Sequence, residues 1–335
     1  MNQIKSLYRK YRPKYFYEVI GQEHVTKTLS NQIKNNNIGH AYLFCGSRGT
    51  GKTSVAKIFA NAVNCYNFNN EVCGECEWCQ NLNKNLDVIE IDAASNNGVE
   101  PVRDLINAIQ FPPINGKYKV YIIDEIHMFS NSAFNALLKT LEEPPSHVIF
   151  ILATTEEHKL PATIKSRCLK FDFRLISQQN LELHVKNILS HENITCEPNV
   201  VQQIAKYGRG SLRDALSFTD MLLSFCNTNK ITLKDVRSVS GNIDETQLYQ
   251  LLKNIHDGNL QEIHKICGEI SNVCNNYNIL LENMIEIIKN DLINKKSSKN
   301  IFALKKFIEL YLLIRHSNNV PEFFEATCLL AASND

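Results

Sequence analysis

Between Gly46 and Thr53 the chain reads Gly-Ser-Arg-Gly-Thr-Gly-Lys-Thr, the spacing G-x-x-x-x-G-K-[ST]. Residues in that pattern do one kind of chemistry. Backbone N–H groups turned inward at Gly46, Gly49 and Gly51 wrap phosphate oxygens, Lys52 reaches the β and γ phosphates, and the Thr53 hydroxyl holds Mg²⁺. The loop with its flanks, Gly46, Ser47, Arg48, Gly49, Thr50, Gly51, Lys52, Thr53 and Ser54, predicts a site for a nucleoside triphosphate. Its context fits. The apolar run Ala41-Tyr42-Leu43-Phe44 precedes it and a helical stretch begins near Ser54, so a helix N-terminus adds partial positive charge. The bland alternative is a glycine-rich turn before an ordinary helix.

Two carboxylates belong with this loop. Val120-Tyr121-Ile122-Ile123 reads as a buried strand that ends in Asp124 and Glu125. Asp124 would steady the Mg²⁺ shell, and Glu125 would polarise the water that attacks the γ-phosphate. The tetrad Asp124-Glu125-Ile126-His127 also resembles a helicase motif, without the other helicase signatures. Cys65, Cys73, Cys76 and Cys79 fall in one short segment, with two Cys-x-x-Cys steps sharing Cys76. Four thiolates so spaced can close a tetrahedral structural Zn²⁺ site with no open position for catalysis. Unligated buried cysteines and an iron–sulfur cluster are the alternatives. Cys45, Cys196 and Cys226 are scattered and read as core or surface residues. Thr155 closes a strand where a hydroxyl could sense the γ-phosphate. Arg167, in Ser166-Arg167-Cys168, and Arg213, behind a Ser211 N-cap, are either functional cations or plain surface charges.

The elements that must position these residues follow from periodicity. Short apolar runs at Ala41–Phe44, Val88–Ile91, Val120–Ile123, Val148–Leu152 and Leu169–Phe173 alternate with helical patterns such as Val102–Gln110 and Ala133–Leu141. That alternation predicts an α/β fold, a parallel sheet flanked by helices, with ligands at the carboxyl ends of the strands. Past Ser177 the strand signals stop. Segments 178–191, 198–207, 211–226 and 232–240 read as short helices, and longer amphipathic helices run from Glu245 onward, broken by the polar stretch Asn294–Asn300. One of them shows helical spacing at Ile301, Leu304, Phe307, Ile308, Tyr311, Leu312 and Arg315.

Composition sets the outer limits. The 335 residues predict more than one core, and 44% hydrophobic with 21% charged residues is a globular balance. No apolar run reaches membrane-spanning length, and the N-terminus lacks a signal-peptide core, so a cytoplasmic protein is expected, with its 11 cysteines reduced. At a net charge of +1, nucleic-acid contact must come from local patches. The N-terminal segment offers one, Lys5, Arg9, Lys10, Arg12 and Lys14 interleaved with Tyr8, Tyr11, Tyr15 and Phe16.

In this order the pieces resemble one family closely, the gamma/tau subunit of bacterial DNA polymerase III, the ATP-driven motor of the sliding-clamp loader. The resemblance covers residues 5 to about 240. It rests on YRKYRPKYFYEVIGQEHV, HAYLFCGSRGTGKTSVAKIFA, the four-cysteine segment, IEIDAASNNGVEPVRDL, YIIDEIHMFSNSAFNALLKTLEEPP, LATTEEHKLPATIKSRC and GSLRDALS. It implies an AAA+ P-loop NTPase core with a zinc-binding insert (1–176, cysteines 65–79), a small helical lid domain (177–241) and an all-α collar for oligomerisation (242–335). Cofactors would be ATP, Mg²⁺ and Zn²⁺, with Thr53 and Asp124 on Mg²⁺ and Cys65, Cys73, Cys76 and Cys79 on zinc. The first sensor falls on Thr155 and the second on Arg213. Arg167 would complete the ATP site of a neighbouring subunit, and the adenine pocket would draw on Tyr11, Arg12, Pro13 and Ile20. Part of the basic N-terminal patch would then frame the base rather than DNA.

The partners implied are the other subunits of a hetero-pentamer with delta and delta-prime type chains, the sliding clamp, and primer–template DNA gripped through phosphates. The activity implied is ATP hydrolysis within the DNA polymerase III holoenzyme, without polymerisation by this chain, in the cytoplasm at the replisome. The resemblance also implies a short form whose collar is reduced and which lacks the tau extension. A non-hydrolysing scaffold subunit is the competing class, opposed by the intact Lys52, Thr53, Asp124 and Glu125. A Holliday-junction or remodelling AAA+ motor is a third, opposed by the cysteine segment and Ser166-Arg167-Cys168.

Overall fold

The computed structural model describes residues 6–81, 85–226, 229–241, 243–274, 276–294, 298–314 and 319–333. Lys5, Arg315 and residues 295–297 of the polar stretch lie outside them. The chain divides into two compact units, Met1–Met221 and Leu222–Asp335.

The first unit is built on five parallel strands, β1 (Ala41–Gly46), β2 (Val88–Asp92), β3 (Lys119–Asp124), β4 (Val148–Thr154) and β5 (Leu169–Phe173), in the order β2-β3-β4-β1-β5. Residues of the central strands β1, β3 and β4 alternate between two buried faces, as a sheet covered on both sides requires, while the edge strands β2 and β5 are mostly half-buried or exposed. Tyr42, Phe44, Val120 and Ile122 share one cluster with Val25 and Leu29 of helix Glu23–Lys34 and with Val55 and Phe59 of helix Lys52–Asn64. Leu43, Cys45, Tyr121 and Ile123 share the other with Val102 and Leu105 of helix Val99–Ile109 and with Phe134 and Leu137 of helix Asn131–Glu142.

All five strands expected from the apolar runs are present, and β1 and β4 each run two residues further. The ladder explains the difference. Cys45 still pairs with Thr154 in parallel register, so hydrogen bonding carries the strands past the last large apolar side chain. That extension places Gly46 and Thr154 beside the carboxyl ends where the chemistry-bearing residues collect. Beyond β5, Ser177 caps helix Gln178–His191 by accepting from Asn180 N, and helices Val200–Gly208 and Leu212–Cys226 follow.

The second unit is helical: Leu233–Ser240, Glu245–Asp257, Leu260–Val273, Tyr277–Asn294, Ser298–Leu313 and Val320–Ala332. Leu248, Leu251, Ile263, Ile270, Leu281, Met284, Ile288, Phe307 and Phe324 form its core. The apolar stripe expected along 301–312 splits in two. Leu304, Phe307 and Tyr311 pack on this core, whereas Ile301, Ile308 and Leu312 face outward, 59%, 42% and 66% exposed. No helix of the described residues is long and apolar enough to cross a membrane.

Candidate functional site

The loop after β1 turns through Gly49 at φ +76° and Gly51 at φ +104°. Both lie in left-handed backbone that suits glycine. Gly49 has a second reason. A Cβ there would come within 1.9 Å of Ser211 Oγ, so the loop touches the start of helix Leu212–Cys226 only because that side chain is missing. Ser211 is the cap of this helix, accepting from Asp214 N at 3.2 Å.

Lys52 opens helix Lys52–Asn64 and is buried, 6% exposed. Its ammonium donates to Gly46 O at 2.7 Å and Ser47 O at 2.9 Å, which holds it over the loop. Burial pushes its pKa down, opposed by the Glu125 and Asp124 carboxylates. Thr53 Oγ1 donates to Asp124 Oδ2 at 2.7 Å. A hydroxyl and a carboxylate, both hard oxygen ligands, thus meet from separate elements, the pairing that suits Mg²⁺.

Glu125 sits in left-handed backbone at φ 49°, uncommon for a residue with a Cβ. Its Oε2 accepts from Thr155 Oγ1 at 3.0 Å and from Thr155 N at 3.3 Å. The His127 side chain, 6% exposed, lies beside it, with Nδ1 in hydrogen-bond contact with Thr154 Oγ1 at 3.0 Å and 3.4 Å from Glu125 Oε2, and Nε2 3.3 Å from Glu156 Oε1. The sequence marked His127 only as part of a tetrad and gave it no role.

One cleft collects most of these groups, with about 960 Å³ of empty space, part of it open to solvent. Arg48, Gly49, Thr50, Gly51, Lys52, Thr53, Ser54, Asp124, Glu125 and Arg213 line its polar end. Tyr11, Arg12, Pro13 and Ile20 line it as well, beside Val19, Ile176, Leu212 and Leu216. Arg213 stacks its guanidinium 5.2 Å from the Tyr8 ring centroid, a cation–π contact that steadies the side chain at the cleft wall. Of the N-terminal basic residues, Lys10 pairs with Glu192 at 2.6 Å, and Tyr11 donates to the same carboxylate.

Two wall residues lie outside every motif read in the sequence, Ile176 and His184, and Glu18 lies inside one without having been given a role. Burial pushes the His184 imidazole pKa down, with Glu18 opposing. Its position between Leu181 and Val185 on the buried stripe of helix Gln178–His191 is the only sign of it in the sequence. Gly46, Ser47 and Thr155 border a neighbouring crevice rather than the cleft. Arg167 is absent from both linings. Its guanidinium donates to Glu142 and, at 2.7 Å, to Thr163 O.

The four cysteines come together as well. Their Sγ atoms all lie within 4.8 Å of one another, with Cys73 to Cys79 at 3.9 Å and Cys79 to Cys65 at 3.7 Å. A tetrahedral Zn²⁺ with Zn–S of about 2.3 Å sets its ligands about 3.8 Å apart, so the residues fit the metal. Backbone N–H groups already point at sulfur, from Cys73 to Cys65 at 3.4 Å and from Cys76 to Cys73 at 3.3 Å. At Cys76 burial raises the thiol, but hydrogen bonds from Cys79 and Tyr66 N–H and from the neighbouring thiols outweigh it and bring it to about 6. Trp78, 2% exposed, packs with Cys65 and Cys79.

The parallel sheet, the glycine loop and the helical segments that follow define an AAA+ P-loop ATPase fold. Among solved structures, the RuvB Holliday junction branch migration motor of Thermotoga maritima is similar at TM-score 0.53 and 22% identity, over 73% of this chain and 79% of that one, a likeness of fold alone. Residues 21–177 match the model of the DNA polymerase III delta subunit family, and residues 180–228 that of the DNA polymerase III clamp loader subunit ATPase lid domain. The chain is 46% identical to DNA polymerase III subunit tau of Bacillus subtilis, over 87% of this chain and 52% of that one. It is 39% identical to DNA polymerase III subunit gamma of Buchnera aphidicola subsp. Baizongia pistaciae, over 91% of this chain and 86% of that one. The chain belongs to the gamma/tau family of DNA polymerase III clamp-loader subunits. It spans about half the length of several curated relatives it matches, 52% and 44% for two of them.

Proposed function

We propose that this chain is an ATPase motor subunit of the clamp loader, organised as nucleotide core (1–176), lid (177–241) and collar (242–335). The 2.7 Å contact between Thr53 and Asp124 carries the reading, because it pairs two Mg²⁺-type ligands beside a buried lysine at a phosphate-sized loop. Bound Mg²⁺ would neutralise charge building up on the phosphates. Lys52 and the loop N–H groups hold the β and γ phosphates, while Arg213 closes on them from the lid. Glu125, fixed by Thr155, orients the attacking water and takes its proton. Tyr11, Arg12, Pro13 and Ile20 frame the base. ATP binding would organise a hetero-pentamer with delta and delta-prime type subunits, open the sliding clamp and grip primer–template DNA. Hydrolysis would release the clamp closed on DNA. The outward stripe Ile301, Ile308 and Leu312 supports assembly through the collar, since such a run of exposed apolar side chains marks an interaction surface.

Glu125→Gln is the direct test. It preserves the shape and one acceptor for Thr155 but removes the base, so ATP should still bind while turnover falls at least ~100-fold. Phosphate release from the assembled loader measures it, and wild-type turnover by the variant would refute the motor reading. Cys65, Cys73, Cys76 and Cys79 would hold Zn²⁺ as a structural ion. Metal analysis of the purified protein should give about one zinc per chain, and a metal-free folded protein would dispose of that assignment.

A further inference from the structure

Part of the cleft's apolar wall, Pro13, Val19 and Ile20, belongs to a strap, residues 11–20, beside Ile176, Leu212 and Leu216. The strap contains one short turn, Phe16–Glu18, between irregular stretches. Two things anchor that turn. Phe16, 4% exposed, packs into the cluster that also receives Phe68 and Val72. Above it, the Glu71 carboxylate accepts from Phe16 N through Oε2 at 2.8 Å and from Tyr17 N through Oε1 at 2.9 Å. Glu71 lies between Cys65 and Cys73, so this second anchor reaches the strap from the four-cysteine module.

Two N–H groups at the start of a turn have no partner within it. A carboxylate using one oxygen for each is a strong way to supply one from outside. The module's backbone is itself tied back, with Ser30 Oγ donating to Asn70 O at 3.2 Å. Just past the turn, Val19 and Ile20 line the cleft, and Gln22 Nε2 reaches Thr50 O of the phosphate loop at 3.4 Å.

The geometry points to Glu71 as a positioning residue for the base end of the nucleotide: it couples the cysteine module to the strap that forms the cleft wall. The module thereby acts on nucleotide affinity without touching the nucleotide. This rests on the nucleotide reading above. The phosphate end of the cleft is held by the loop and β3, independently of Glu71, so the two ends should respond differently.

Calorimetric titration of the full chain with ADP, and separately with inorganic tripolyphosphate, tests it. In Glu71→Ala, ADP affinity should fall about 10-fold, less than the full worth of two hydrogen bonds to a charged acceptor because Glu71 acts on the nucleotide only through the strap, while tripolyphosphate affinity and zinc content stay at wild-type values. Glu71→Gln, which keeps one acceptor oxygen, should fall between. Deuterium exchange at the Phe16 and Tyr17 amides should quicken in step. Unchanged ADP affinity in Glu71→Ala, or an equal loss for tripolyphosphate, would overturn the coupling. A wild-type chain that binds neither ligand would instead remove the nucleotide reading and this inference with it.

Discussion

Lys52→Ala should lower ATP turnover by at least ~100-fold while the chain stays folded. The ammonium is 6% exposed and bound to Gly46 O and Ser47 O at 2.7 and 2.9 Å, so it is held before any phosphate arrives. In phosphoryl transfer the charge spreads over the equatorial oxygens of the moving group, and catalysis is mostly positioning plus electrostatics. A cation held in place inside a partly dry cleft is worth far more there than in water. Stability should respond much less. Burial already works against this ammonium, as its lowered pKa records despite Glu125 and Asp124 nearby. Alanine removes that desolvation cost together with two hydrogen bonds, and Tm should move by no more than about 4 °C. Phosphate release by the assembled loader and a melting curve of the chain check both halves. Turnover within about tenfold of wild type would mean that Lys52 does not act on the transferred phosphate.

How much of this was legible in the sequence depends on whether a feature is local. The loop at Gly46–Thr53, the pair Asp124–Glu125 and the four cysteines are contiguous strings, and their geometry follows from strand, turn and helix rules alone. The sheet was legible for the same reason, since each strand begins from an apolar run and crossovers such as Val99–Ile109 and Asn131–Glu142 carry a 3.6-residue pattern. Features that depend on two distant segments meeting were not. Glu71 is one acidic residue among many until the Phe16 and Tyr17 amides are placed against it. His127 reads as a helicase-like letter until its ring is found between Glu125 and Glu156. His184 looks like one more position on a helix stripe until that stripe turns out to meet the cleft. The stripe at 301–312 shows the limit of periodicity itself. Helical spacing says that apolar residues recur, but a helix apolar on more than one side does not say which side meets its core.

The cysteine module illustrates the difference between a motif and its use. Spacing alone predicts a metal site, and sulfur separations of 3.7 and 3.9 Å agree with tetrahedral zinc. Neither says why a nucleotide-binding core should carry such an insert. The answer offered by the contacts is mechanical. Glu18 caps the strap's one short turn from within, accepting from Lys14 N and Tyr15 N, and Glu71 of the insert holds the Phe16 and Tyr17 amides from outside.

The second large effect is expected from Arg167→Ala, and only in the assembly. The Arg167 side chain points away from its own chain's cleft, donating to Glu142 and to Thr163 O, and it lines neither the cleft nor the neighbouring crevice. A cation held at the surface by an ion pair that is half exposed on the glutamate side is available to a neighbour, because exposed ion pairs contribute little and are readily exchanged. The variant should therefore bind ATP in its own site with affinity within about twofold of wild type, since nothing there contacts the lost guanidinium. Turnover in an assembly in which every copy of this chain is the variant should fall ~1,000-fold or more, the scale of an arginine finger supplied in trans. Mixing sharpens the test. When Arg167→Ala chains are titrated into wild-type chains, hydrolysis should disappear at sites whose neighbour carries the substitution, while a variant site beside a wild-type neighbour keeps turning over. Undiminished turnover in that assembly would rule out the shared site. Loss confined to the variant's own site, with its neighbours unaffected, would place Arg167 in cis against the geometry seen here.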